Sequence, residues 1–208
     1  MLDGAVRERI QPLIDAAGRA IARTGATANT VTVTALLLGV AAAGLIALQW
    51  YLAGMILLLA SRLCDGLDGA VARVNGKTDF GGFLDIVLDF AVYGIVPLGF
   101  VIADPAANAI AGAALIFSFY VNGASFLAFA IMAEKHGMTT DQRGEKSLFF
   151  TTGLAEATET IAVFVAACLF PGWFPVLAWV FAAICLYTAL SRIVMTKRVL
   201  SLTGKDDA

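Results

Sequence analysis

From Thr30 to Val194 the chain is apolar in long runs and polar only in short breaks. Six segments of about 20 residues can be drawn, the length a helix rising about 1.5 Å per residue needs to cross roughly 30 Å of hydrocarbon. They cover residues 30–49, 51–73, 79–103, 107–134, 147–170 and 174–194. Runs of this length read as membrane-spanning helices. The composition agrees: 60% of residues are hydrophobic and 14% charged, with a mean hydropathy of +0.84. A soluble domain is about a quarter charged. The expected fold is an all-α integral membrane protein with six transmembrane helices, forming one domain over residues 1–208.

Before these spans, residues 3–23 set Val6, Ile10, Leu13, Ile14, Ala17 and Ile21 against Arg7, Arg9, Arg19 and Arg23. Apolar steps of three and four make one helical stripe. Beside membrane spans, a basic amphipathic helix reads as lying in the interface; the alternative is a tail helix packed on the protein. Pro12 is expected to kink it or begin a second segment. The polar run Thr24–Thr32 breaks this helix, and Asn29 or Thr30 is positioned to N-cap the next. This polar N-terminus does not read as a cleavable signal peptide.

Loop cations fall on one side of the scheme: the N-terminal arginines, Arg73, Lys77, Lys135, Arg143, Lys146, and Lys197, Arg198 and Lys205 of the tail at 195–208. The opposite connections hold Trp50 and Trp173 and no Lys or Arg. This asymmetry predicts that both termini are cytoplasmic, as in a bacterial inner membrane protein. The net charge of −2 offers no basic field for nucleic acid. Cys64, Cys168 and Cys185 lie in apolar runs without a C-x-x-C motif, so free, buried thiols are expected.

Within this apolar chain, Asp65, Asp68, Asp85 and Asp89 flank a short polar turn around Asn75 and Gly76. An Asp at the centre of a membrane helix costs about 2.5–3.5 kcal/mol, so such residues have partners and functions. Asp65 and Asp68 are spaced i, i+3, and Asp85 and Asp89 i, i+4, so each pair shares a helix face. Two helices joined by a tight turn are antiparallel neighbours and bring both pairs to one membrane surface. Oxygen-only donors suit Mg²⁺ or Mn²⁺, and no His and Cys cluster suggests zinc.

The pattern Asp65-x-x-Asp68-Gly69-x-x-Ala72-Arg73 followed by Gly81-x-x-x-Asp85-x-x-x-Asp89 resembles the signature of the CDP-alcohol phosphotransferase (CDP-alcohol phosphatidyltransferase) family. One departure is a turn of seven residues between Arg73 and Gly81 where the family has eight. The resemblance implies a transferase that moves a substituted phosphate, such as phosphatidyl, from a CDP-alcohol to a small hydroxyl acceptor and releases CMP. The expected donor is CDP-diacylglycerol. By resemblance, Asp65, Asp68, Asp85 and Asp89 hold Mg²⁺ or Mn²⁺, two ions in all, with Asp89 as general base. Asn29, Thr32, Gly69, Ala72 and Arg73 receive the CDP moiety, and Gly81 lets the second and third spans approach. For Asn29 and Thr32 helix capping is the competing account. Members of the family often dimerise, which leaves a homodimer open.

The acceptor is undetermined at this level. Glycerol phosphate or inositol phosphate needs a basic pocket, for which Arg62, Arg143, Lys146 and Arg192 are candidates; serine or inositol needs less charge. Arg62 lies one turn before Asp65 and either pairs with a carboxylate or touches substrate. Glu156 and Glu159, sharing a face with Thr152, serve structural pairing or acceptor binding. Asn122 and Ser125 are read as interhelical hydrogen-bonding groups, and His136 as solvated. The alternative function is a divalent-cation transporter using the intramembrane carboxylates, which requires acidic residues distributed through the membrane thickness.

Overall fold

A computed structural model describes the backbone of residues 2–135, 155 and 157–202. Among these described residues all regular structure is helical. The helices are α1 (Leu2–Arg23), α2 (Ala28–Ala47), α3 (Tyr51–Asn75), α4 (Asp79–Ala103), α5 (Pro105–Lys135), α6 (Ala157–Leu169) and α7 (Phe174–Leu202). A 3-10 turn, Pro171–Trp173, joins α6 to α7. Expected elements at 136–154, and at Glu156, lie outside the described residues.

Six spans were expected; four helices among the described residues are long and apolar enough to cross a membrane. These are Ala28–Ala47, Asp79–Ala103, Pro105–Lys135 and the helical stretch Pro171–Arg198. α3 has the length, at 25 residues, but its second half carries Arg62, Asp65, Asp68 and Arg73. α6 is apolar but has 13 residues. Large apolar side chains such as Ile110, Tyr120 and Trp173 stand exposed on the outer surface, where a soluble protein would keep them covered.

The helix ends differ from expectation in two places. α1 runs through Pro12 without starting anew, although proline removes one backbone donor. The cap of α2 is Thr27 rather than Asn29 or Thr30: its Oγ1 accepts from Thr30 N at 3.2 Å, in extended backbone geometry. The helix therefore begins two or three residues early, and Asn29 falls in its first turn with no capping duty. Thr78 caps α4 in the same way, accepting from Gly81 N at 3.0 Å. The α3–α4 turn passes through Gly76 at φ +98°, a conformation that favours glycine.

α2 packs on α3 and α4, α5 on α4 and α7, and α1 on α3. The core joins Ile46, Leu58, Val92, Val96, Phe164 and Cys185 to a ring stack in which Phe100 and Phe174 lie 4.6 Å apart. Gly99 lets α4 touch the backbone of α2: a Cβ there would stand 2.6 Å from the Ala43 carbonyl oxygen. The thiols are free; Cys168 and Cys185 are buried and Cys64 is half-buried.

Candidate active site

α3 and α4 carry their carboxylates at matched depths. Asp65 lies as far before the end of α3 at Asn75 as Asp89 lies after the start of α4 at Asp79, about 15 Å at about 1.5 Å per residue. Asp68 and Asp85 form a second, shallower level. Because the helices are joined by a three-residue turn, these levels coincide in space. One carboxylate oxygen from each of Asp65, Asp68 and Asp85 lies within 4.8 Å of the other two. Opposite ligands of an octahedral Mg²⁺ are about 4.2 Å apart, so a small inward movement lets the three oxygens share one hard cation. An all-oxygen set of this kind fits Mg²⁺ or Mn²⁺.

Asp89 stands outside that group of three. Its Oδ1 accepts from Arg62 Nη1, which is also 3.7 Å from Asp65 Oδ2. The Arg62 side chain is 7% exposed and its guanidinium sits 5.7 Å over the Tyr93 ring. Its Nη2 donates to Ser61 Oγ, which in turn donates to the Ala35 carbonyl. Arg62 is thus a fixed internal cation bridging the deeper carboxylate level. Of the two roles open to it in the sequence, pairing is the one the structure displays.

The shallower level has its own support. Thr32 Oγ1 donates to Asp68 Oδ2 at 2.6 Å, and both residues are buried. This contact brings α2 to the site. Beside it opens a cavity of about 440 Å³, lined by Asn29, Thr32, Asp68, Gly69, Ala72 and Asp85 among others. The absence of side chains at Gly69, and a single methyl at Ala72, leave its α3 wall flat. A Cβ on Gly81 would lie 2.9 Å from Oγ1 of the capping Thr78 and 3.1 Å from Asn29 Oδ1, so this glycine makes room for its own helix cap and for α2, and no atom of α3 comes within 4 Å.

The remaining candidates are dispersed. Arg73 does not line the cavity; its Nη2 donates to Asp15 of α1 at 2.6 Å. Arg192 on α7 donates through Nη1 to the Asn122 carbonyl and Oδ1, each at 3.1 Å, and to Ser125 Oγ at 2.6 Å. All three acceptors are neutral, and no carboxylate among the described residues forms an ion pair with it. Glu159, half-buried in the first turn of α6, is not one of the converging carboxylates. Lys146 and Glu156, like Arg143, Thr152 and His136, lie outside the described residues. Lys77, read in the sequence only as a loop cation, lines the cavity mouth. A basic residue inside the turn that joins two acidic helices was the available signal.

A sequence profile described as CDP-alcohol phosphatidyltransferase matches residues 26–190, which takes in every helix that builds the site. The chain belongs to the CDP-alcohol phosphatidyltransferase family. As a member, it is a membrane-embedded transferase of phospholipid synthesis. It is 47% identical over 193 residues to the inner membrane protein YnjF of Escherichia coli K12, covering 93% of this chain and 94% of that one. An archaetidylinositol phosphate synthase of Pyrococcus horikoshii is 34% identical over 85 residues, 45% of its length. Among solved structures, phosphatidylinositol phosphate synthase PgsA1 of Mycobacterium tuberculosis with CDP-DAG bound aligns with a TM-score of 0.71 at 23% identity. The alignment covers 89% of this chain and 94% of that one. The same enzyme in complex with manganese and citrate aligns at 0.66, again at 23% identity, over 88% of each chain. At this identity the likeness is one of fold. The cation-transporter alternative finds no support: the family is one of transferases, and the converging carboxylates of this chain gather on α3 and α4 alone.

Proposed function

We propose that the chain transfers a phosphatidyl group from CDP-diacylglycerol, or a close CDP-alcohol, to a small polar alcohol, with release of CMP. The observation that carries this reading is the convergence of three carboxylate oxygens, from Asp65, Asp68 and Asp85, on the edge of a cavity walled by Gly69 and Ala72. A relative of the same fold with CDP-DAG bound, and with manganese, supports the choice of donor and of metal. When bound, Mg²⁺ or Mn²⁺, two ions at full occupancy, would neutralise the diphosphate oxygens and the leaving phosphate.

The chain's own residues do the rest. Asp65, Asp68 and Asp85 hold the cation set, and Thr32 fixes the orientation of Asp68. Gly69 and Ala72 admit the nucleotide against the backbone, Asn29 offers it an amide, and Arg73 and Lys77 offer positive charge to its phosphates. Asp89 takes the proton of the acceptor hydroxyl, held toward the site by Arg62. The acceptor oxygen bonds to the phosphorus that carries the diacylglycerol, the bridging P–O bond to the nucleotide breaks, and CMP leaves.

We infer that the acceptor itself carries a phosphate. Arg192, on the end of α7 that shares a side with the α3–α4 turn, is a cation whose described partners are all neutral. That arrangement suits an incoming anion, as the names of the inositol-phosphate-type relatives also suggest. Lys146 and Arg143 are candidates to join it, and Glu156 and Glu159 to meet hydroxyls. In this reading α3 and α6 complete six spans, α1 lies in the interface, and the site opens to the cytoplasm of a bacterial inner membrane with both termini on that side.

The test supplies purified protein with CDP-diacylglycerol, Mn²⁺ or Mg²⁺, and inositol phosphate, glycerol phosphate, inositol or serine, and measures CMP. Release with a phosphorylated acceptor is expected. Release only with serine or inositol removes the acceptor assignment, and no release with any acceptor under either metal removes the transferase reading.

A further inference from the structure

The N-terminal helix makes contact beside the candidate site through one side chain. Arg73 ends the first half of the signature, yet its guanidinium is turned back along α3. Nη1 lies 3.8 Å from where a Cβ on Gly69 would stand, and Gly69 lines the cavity. Nη2 donates to Asp15 Oδ1 at 2.6 Å. One edge of the guanidinium is therefore held by α1 while the other lies beside Gly69 of the cavity wall, with Arg73 itself outside the lining.

The hold is built into the helix packing. A Cβ on Gly18 would stand 2.5 Å from Ala70 Cβ and 3.0 Å from the Ala70 carbonyl carbon, so α1 and α3 touch backbone to backbone there. Asp15 and Gly18 are spaced i, i+3, as are Ala70 and Arg73, so each pair shares a helix face. Gly18 meets Ala70 and Asp15 meets Arg73, which is the register of two antiparallel helices. A long cationic side chain near an exposed helix end otherwise samples many rotamers; docking α1 selects one.

We propose that Asp15 is a positioning residue for the nucleotide: it holds Arg73 at the cavity rim, within reach of the diphosphate of the CDP-alcohol. This inference rests on the transferase reading above. The two side chains are 41% and 34% exposed, so the pair is a solvent-screened one of modest strength. A diphosphate entering the cavity can therefore draw Nη1 inward while Nη2 stays on Asp15.

The experiment measures KM for CDP-diacylglycerol and kcat by CMP release for wild type, Asp15→Ala, Asp15→Glu, Arg73→Ala and the Asp15→Ala/Arg73→Ala double variant. Asp15→Ala should raise KM about fivefold, the size of one partly screened ion pair, with kcat within about twofold. Asp15→Glu should recover much of the loss. In the Arg73→Ala background the Asp15 change should add nothing, and the Mn²⁺ activation constant should not move. An Asp15→Ala KM that is unchanged or lowered overturns the inference, as does the same rise in KM with Arg73 already absent. Should Asp15→Ala fail to fold, Asp15→Asn, of the same shape, carries the same comparison. No CMP from wild type overturns the transferase reading and this inference with it; CMP from wild type with an unmoved KM overturns this inference alone.

Discussion

Replacing Thr32 with valine tests how the site holds its metal-facing carboxylates. Valine keeps the branched shape and deletes one hydroxyl proton. The hydroxyl donates that proton to Asp68 Oδ2 across 2.6 Å, with the Ala28 carbonyl at 3.0 Å as its weaker alternative, and Thr32 and Asp68 are 4% and 6% exposed. A hydrogen bond to a buried charged group contributes about 1.5–3 kcal/mol. At about 1.4 kcal/mol per decade this is a factor of roughly 10–150, which overlaps the 10–100-fold loss of metal affinity usual when an outer partner of a metal ligand is removed. The assay is the Mn²⁺ activation curve of CMP release at saturating CDP-diacylglycerol. Thr32→Val should move the midpoint to about 10–100-fold higher Mn²⁺, and Thr32→Ser, which keeps the donor, should stay near wild type. Curves that superimpose for Thr32→Val and wild type would refute the claim that this hydroxyl orients Asp68. An unchanged Mn²⁺ midpoint with a raised KM for the CDP-lipid would move Thr32 from metal support to nucleotide contact.

Asp89→Asn should lower CMP release at least 100-fold, the low end of a general base's contribution of about 10²–10⁴, while Mn²⁺-dependent binding of CDP-diacylglycerol persists; full activity would remove the base assignment. Gly99→Ala should destabilise the protein by about 1–3 kcal/mol, because its Cβ meets the Ala43 carbonyl oxygen at 2.6 Å and two helix backbones must part. A thermal midpoint in detergent several degrees below wild type checks this, with Gly44→Ala, whose Cβ meets nothing within 4 Å, as the variant that should not fall. Arg192→Ala should raise KM for a phosphorylated acceptor at least tenfold and leave KM for CDP-diacylglycerol within about threefold, the pattern expected when one desolvated charge–anion contact is lost.

The helical fold and the place of the site were legible early because both follow from one-dimensional rules. Backbone satisfaction in lipid makes apolar runs helical, and the i, i+3 and i, i+4 spacings put Asp65 with Asp68 and Asp85 with Asp89 on common faces. The tight turn at Gly76 then forces those faces together. Local capping was less legible. Thr27, Asn29 and Thr30 are all good cap residues, and only the backbone geometry at Thr27 decides among them. The number of spans was also less legible, since α3 has the length of a span but carries the charges of the site.

What the chain by itself determined, then, is the class of fold, the candidate carboxylates and the end of α3 and α4 where three of them meet. Periodicity and a single turn suffice for that. What packing decided is which partner each of those residues takes. Thr32 reaches Asp68 across 36 positions of sequence, Arg62 reaches Asp89 across 27 and Arg73 reaches Asp15 across 58. Contacts of that range depend on how α1 and α2 lie against α3 and α4, and helix register is set by backbone approaches such as Gly18 on Ala70 and Gly99 on Ala43. No local pattern encodes a distance between two helices, which is why the carboxylates and the pairing of Arg62 could be read from the sequence, while Thr32 on Asp68 and Asp15 on Arg73 could not.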